Sequence, residues 1–209
     1  LSVQPGTQYS YRVVAYKTGE GRSAASNTAT VRVPTLLAPT HDAYVRGGVN
    51  ANTNYGTYNT SGQPELLKIK ESATADSDRY SLLTFDLTGL QNLADAKLRL
   101  FGGVDASDAV TISAFEAGNT TWTEGTVTWN NAPNAVGSAL ASVTVSPAAS
   151  AWYEWNLTSF LQGKLAAGAT VVSIVLKANP AINTVSVANF NGGEAATDVP
   201  ELSVSVASA

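Results

Sequence analysis

Apolar and polar positions alternate through much of this chain, most sharply between Pro64 and Phe101. Leu67 and Ile69 alternate with Lys68 and Lys70, and Ala96, Leu98 and Leu100 alternate with Lys97, Arg99 and Phe101. Successive side chains of a strand leave opposite faces, so strands are predicted over 65–70 and 96–101, each with an apolar face and a largely basic one. Between them, 79–87 is more continuously apolar, the pattern of a strand covered on both sides. Further strands are predicted over 8–16, 28–33, 109–115, 139–145, 152–155, 170–177, 184–190 and 201–206, with a short one opening at Asp42. The one helical signal is a single turn with Asn156 as N-cap and Gly163 at its end. Many short strands without a long helix predict an all-β chain, and their count and length favour a jelly-roll β-sandwich.

Turn-forming residues divide the chain. TGEGRSAASN separates the first two strands, so the N-terminal part reads as a β-hairpin. VPTLLAPTHD carries two prolines and no periodicity, which gives a hairpin unit over 1–34, a linker over 35–41 and a sandwich over 42–209. A lone hairpin is marginal in water, so the chain is expected to begin within a domain.

Composition narrows the classes. The 209 residues are 44% hydrophobic and only 13% charged, enough for one good core. No apolar run approaches the ~20 residues of a membrane span. No leader pattern opens at Leu1, so the chain reads as a mature protein or a fragment. Cysteine is absent, which removes disulfides, thiolate metal sites and cysteine nucleophiles. Abundant small and hydroxylated residues with few charges suit a secreted bacterial protein.

Charge adds a second signal. Residues 1–35 hold four bases and one acid, whereas 36–209 hold eight bases and fifteen acids. Six of those eight bases precede residue 100. A local basic patch on an acidic domain argues against general nucleic-acid binding and suits a discrete anionic ligand. Solubilising strand-face charge is the plainer alternative. Carboxylates on a sugar polymer need fixed cations, and Arg pairs them bidentately, so Arg46, Lys68, Lys70, Arg79 and Arg99 are the candidate binding residues. Neutral sugars need an aromatic platform instead, for which Tyr55, Tyr58 and Trp122 are the loop candidates. Trp129, Trp152 and Trp155 are assigned to packing or strand-edge cover. Nothing supports catalysis by spacing: His41 is the only histidine, and Asp86, at a strand end, is expected to pair with Arg79 or Arg99.

Two resemblances follow. VQPGTQYSYRVVAY with SNTATVRV resembles the last two strands of a fibronectin type III domain, with Tyr9 as the corner tyrosine and Val3 in the usual leucine position. D-A-Y-V-R, N-Y-G, L-K-I-K, R-Y-S-L-L-T-F-D-L, A-K-L-R-L, W-T-E-G-T-V-T-W-N-N-A-P and a closing P-E-L-x-V occur in order over residues 40–206. Together they resemble the DNRLRE-type domain, which includes the family 96 carbohydrate-binding modules attached to alginate lyases. That resemblance implies a secreted jelly-roll module with no catalysis of its own. Its partners would be a polysaccharide, anionic in some members, and the N-terminal domains of a larger polysaccharide-degrading enzyme. It also implies bound calcium. Hard cations take six to eight oxygens. Asp42 on the first strand and Glu194 and Asp198 before the last are the expected ligands, and turn-capping is the alternative role. One departure stands out: Asn191-Gly192-Gly193-Glu194 replaces the usual Asn-Ser-Arg-Glu, losing the arginine. A different class, a structural or adhesive module whose hairpin edges pair with a neighbour, is the alternative function.

Overall fold

A computed structural model describes residues 3–56, 66–72, 77–147, 149–179 and 186–207. The hairpin is formed by β1 (Gln8–Tyr11) against β4 (Ala29–Arg32), with β2 (Tyr16–Lys17) and β3 (Gly21–Arg22) at its tip. The first strand was expected to run on to Tyr16, but the ladder stops at Tyr11. Beyond it, the Val13 and Ala15 amides donate to the Ser26 and Ser23 hydroxyls, at 2.9 and 3.0 Å, instead of to backbone.

The remaining strands are β5 (Thr35–Leu37), β6 (His41–Arg46), β7 (Leu66–Ile69), β8 (Arg79–Asp86), β9 (Leu93–Val104), β10 (Val110–Ala117), β11 (Ala135–Val145), β12 (Ala151–Asn156), β13 (Val171–Ala178), β14 (Ala188–Asn191) and β15 (Glu201–Val206). They form two antiparallel sheets. One has the order β11-β10-β13-β8-β6, and the other runs β5-β15-β9-β14-β7, with β12 also paired to β9. The expected jelly-roll β-sandwich is therefore the observed architecture. The linker expected over 35–41 is not a free connection. Residues 35–37 pair with β15, Leu37 opposite Leu202, and form an edge strand, while β6 begins at His41. Leu37 packs on the core, which outweighs the proline-rich composition around it.

Alternation explains how the sheets meet. Along β9, Ala96, Leu98 and Leu100 are wholly buried while Lys97, Arg99 and Phe101 stay half-exposed. Leu83 and Phe85 of β8, Ile174 and Leu176 of β13 and Phe190 of β14 meet them between the sheets. Trp155 closes this core and donates its indole N–H to the Ile112 carbonyl at 2.9 Å. The opposite face of β8 is buried too. Tyr80 and Leu82 join Ala43, Val45 and Val175 beneath the segment 118–134, which contributes Trp122 and Val127. The covered strand expected over 79–87 is thus observed. The helical turn is longer than expected: α1 (Thr158–Ala166) runs through Gly163 and ends before Gly168, whose φ is +80°. No helix among the described residues is long and apolar enough to cross a membrane.

Candidate functional site

Two clusters of opposite charge lie along β6, an edge strand hydrogen-bonded to β8. Asp42, Tyr44 and Arg46 alternate on this strand and so share a face. At the rise of a strand, Asp42 and Arg46 are about 13 Å apart.

The basic cluster is built by register. Arg46 of β6 lies directly opposite Arg79 of β8, and Arg79 in turn bridges Lys70 at the end of β7. The bridge is closed by two backbone bonds of 2.9 Å. Directly opposed residues have Cβ atoms ~5 Å apart, and like charges so placed repel. Three cations thus form a row across three strands. Among the described residues, none of them has a carboxylate within salt-bridge distance. The Nε of Arg46 is buried with no hydrogen-bond partner among the described residues. Burial, with the Arg46 charge second, depresses the Arg79 pKa, and Tyr44, Tyr55 and Asp105 oppose this. Lys68 adds a further cation, its Nζ 5.7 Å from the centre of the Tyr44 ring. Tyr55 stacks on Tyr44 with ring centres 4.5 Å apart and donates its hydroxyl to Asn50 at 3.1 Å.

The acidic cluster lies at the other end of β6. Asp42, Glu124 and Glu194 present carboxylate oxygens within 4.8 Å of one another. Asp42 is only 2% exposed, and one of its oxygens accepts the Gly193 N–H at 2.8 Å. Burial, aided by the Glu194 charge and partly offset by that hydrogen bond, pushes Asp42 up to about 6. Burial and then the charges of Glu194 and Asp42 push Glu124 up to about 7. The Glu194 Oε2 is buried and unpartnered among the described residues. Crowded carboxylates with a raised affinity for protons have the donor chemistry of a hard divalent cation site.

Local structure holds these acids in place. Asn54 donates to the backbone carbonyls of Glu124 and Val127, both at 2.7 Å, tying the loop before Tyr55 to the Glu124 segment. Gly56 lies so close that a Cβ there would fall 2.1 Å from the Glu124 carbonyl oxygen. Gly193 is also close-packed, since a Cβ there would sit 2.6 Å from the Asp42 side-chain Oδ1. Gly193 therefore brings backbone against a buried carboxylate.

The sequence candidates divide accordingly. Arg46, Lys68, Lys70, Arg79 and Tyr55 come together, and so do Asp42 and Glu194. Arg99 does not join the row. It pairs with Glu154 at 2.9 Å and with Glu201, and stacks on Trp152 at 4.6 Å. Trp122 is no exposed platform: it is 7% exposed, with its indole N–H donated to Ser173 at 3.2 Å, because 118–134 folds back over the sheet. Asp198 is exposed and bonded to its neighbour Thr197, outside the acid cluster. Tyr58 lies outside the described residues. Asp86 meets neither arginine and accepts the Thr88 N–H at 2.8 Å. Glu124 and Tyr44 were not singled out from sequence. Glu124 lies within W-T-E-G-T-V-T-W, whose periodicity carries no sign of a partner on β6.

A β-sandwich that gathers unpaired cations beside stacked tyrosines on one edge has the surface of a binding module. The profile of carbohydrate-binding module family 96 matches residues 33–206, and the chain belongs to that family. It is 28% identical over 197 residues to a gellan lyase of Bacillus sp, covering 91% of this chain and 7% of the lyase. The chain thus spans a small fraction of that relative's length. Among solved structures, the CBM36-1 domain of a multidomain xylanase from the hindgut metagenome of Trinervitermes trinervoides aligns with a TM-score of 0.35 and 11% identity, over 84% of this chain and 99% of that domain. The family is one of binding modules, and its members bind carbohydrate without themselves catalysing a reaction.

Proposed function

We propose that Arg46, Lys68, Lys70 and Arg79, with Tyr55 beside them, bind an anionic polysaccharide and tether a larger secreted polysaccharide-degrading enzyme to it. The row Lys70–Arg79–Arg46 is the observation that carries this reading. Opposed like charges destabilise a ladder unless something neutralises them, and guanidinium groups suit planar carboxylates. The similarity to a gellan lyase makes gellan the first polymer to test. The catalytic domain would lie elsewhere in the full protein. The hairpin would be the end of a fibronectin type III spacer, a reading supported by the 2.8 Å bond from the Gln4 amide to the Tyr9 hydroxyl.

Asp42, Glu124 and Glu194 would hold a calcium ion. The orphaned Glu194 Oε2 and the all-oxygen donor set fit such an ion. It would neutralise the buried acids and fix the Asn54–Gly56 loop that carries Tyr55.

Affinity electrophoresis and calorimetry on gellan, alginate and cellulose test the proposal. Binding to an anionic polymer should weaken with salt, and the Arg46→Ala/Arg79→Ala variant should lose about tenfold or more, the scale of lost charge-assisted hydrogen bonds. Unchanged binding by that double variant would reject the basic row.

A further inference from the structure

The outward face of the five-stranded sheet is not wholly covered by the segment 118–134. Beside that cover a cleft of about 420 Å3 opens, lined by Glu71, Ser113, Phe115, Ala135, Gly137 and Lys177. Its volume lies within the range of roughly 300–1,000 Å3 typical of small-ligand sites. Register sets the floor: Ser113 of β10 is directly opposite Lys177 of β13 on one side and Ser142 of β11 on the other. The two serine hydroxyls bond each other at 2.7 Å. The Lys177 Nζ lies 5.3 Å from the centre of the Tyr80 ring, and Tyr80 packs on Trp129 with ring centres 5.0 Å apart. Phe115 and Ala135 supply apolar wall.

The chemistry of this cleft differs from that of the basic row. Lys177 donates and Glu71 accepts, so the pair presents opposite charges on one lining, and the serine hydroxyls do both. A sugar unit without a carboxylate has the matching surface, with hydroxyls that both donate and accept around an apolar carbon ring. A uronate would be drawn to Lys177 but repelled by Glu71, so the lining gives a carboxylate no net advantage. Glu71 also follows Lys70 directly, so consecutive residues serve the row and the cleft.

We propose that the cleft floored by Ser113, Phe115 and Lys177 is a second glycan site, taking an uncharged sugar unit independently of the basic row. The test is amide NMR of the full chain titrated with cellotetraose, xylotetraose and laminaritetraose. At least one should shift residues 113, 137 and 177, and Lys177→Ala and Glu71→Gln should each weaken it about tenfold, the loss of one charge-assisted hydrogen bond. Arg46→Ala/Arg79→Ala should leave this binding unchanged while anionic-polymer binding falls. The absence of shifts with all three probes would overturn the proposal. So would binding by both cleft variants as tight as the parent's, or loss of neutral-sugar binding in the arginine double variant.

Discussion

Replacing Asp42 by Asn separates a buried charge that is a liability from one that is a ligand. The carboxyl is 2% exposed, and its pKa rises from 3.8 to about 6 on folding. A raised carboxyl pKa means the folded state holds the proton more tightly than the unfolded chain does. The associated stability is complete below 3.8, is lost as pH climbs through 6, and leaves the cation-free protein with its full penalty above that. A shift of that size corresponds to about 3 kcal/mol. The amide keeps an oxygen to accept the Gly193 N–H but carries no charge. In EDTA at about pH 8 the variant should therefore melt higher than the parent, by ~6–12 °C for a domain of this size, and at about pH 4 the difference should vanish. Calcium should raise the parent's melting temperature and leave the variant's nearly unmoved. Scanning calorimetry under the four combinations of pH and calcium reads all of this. A variant that melts below the parent in EDTA at about pH 8, with no calcium effect on the parent, would refute both the burial penalty and the cation site.

Two further perturbations probe the same surfaces. Gly193→Ala should destabilise the fold by roughly 1–3 kcal/mol and blunt the response to calcium, because the new methyl displaces the Asp42 carboxylate; a chemical-denaturation curve with and without the ion reads both. Arg99→Ala should leave polysaccharide binding intact but lower stability by roughly 1–3 kcal/mol, since it strands the half-buried Glu201 and uncovers Trp152; retention on an anionic-polymer column beside a melt separates the two effects.

What sequence reveals here follows from what periodicity encodes. Alternation at Leu98-Arg99-Leu100 displays a face, so strands and sandwich were legible. The continuous run Tyr80–Phe85 likewise displayed two covered faces. Alternation does not say which neighbour a charge meets. Arg99 and Arg79 look alike in sequence, yet Arg99 lies between Glu154 and Glu201 across the sheet, whereas Arg79 lies between Lys70 and Arg46. Cross-strand register decides between a neutralised arginine and an available one. The acid cluster was half legible: Asp42 and Glu194 were candidates from their places near the first and last strands of the sandwich. β6 and β15 lie in different sheets, however, and it is the β14–β15 connection that brings Gly193 and Glu194 to Asp42. Glu124 enters from a long connection whose path is set by Asn54 and by the burial of Trp122, neither of which has a periodic signature. Trp122 is buried and not the exposed platform its loop position predicts, because loop composition gives no hint that the segment folds back onto a sheet.

β6 carries the outermost consequence. It is paired to β8 through six registered positions, from His41 opposite Thr84 to Arg46 opposite Arg79. Ladder bonds run across the strands, so a pull directed along β6 loads them together, whereas a pull away from the sheet opens them one at a time. If a polymer is held at Arg46 as proposed, the module would be an anchor whose holding strength depends on the direction of drag. Flow along the strand axis would then be resisted by the whole ladder, and flow across it by a single rung.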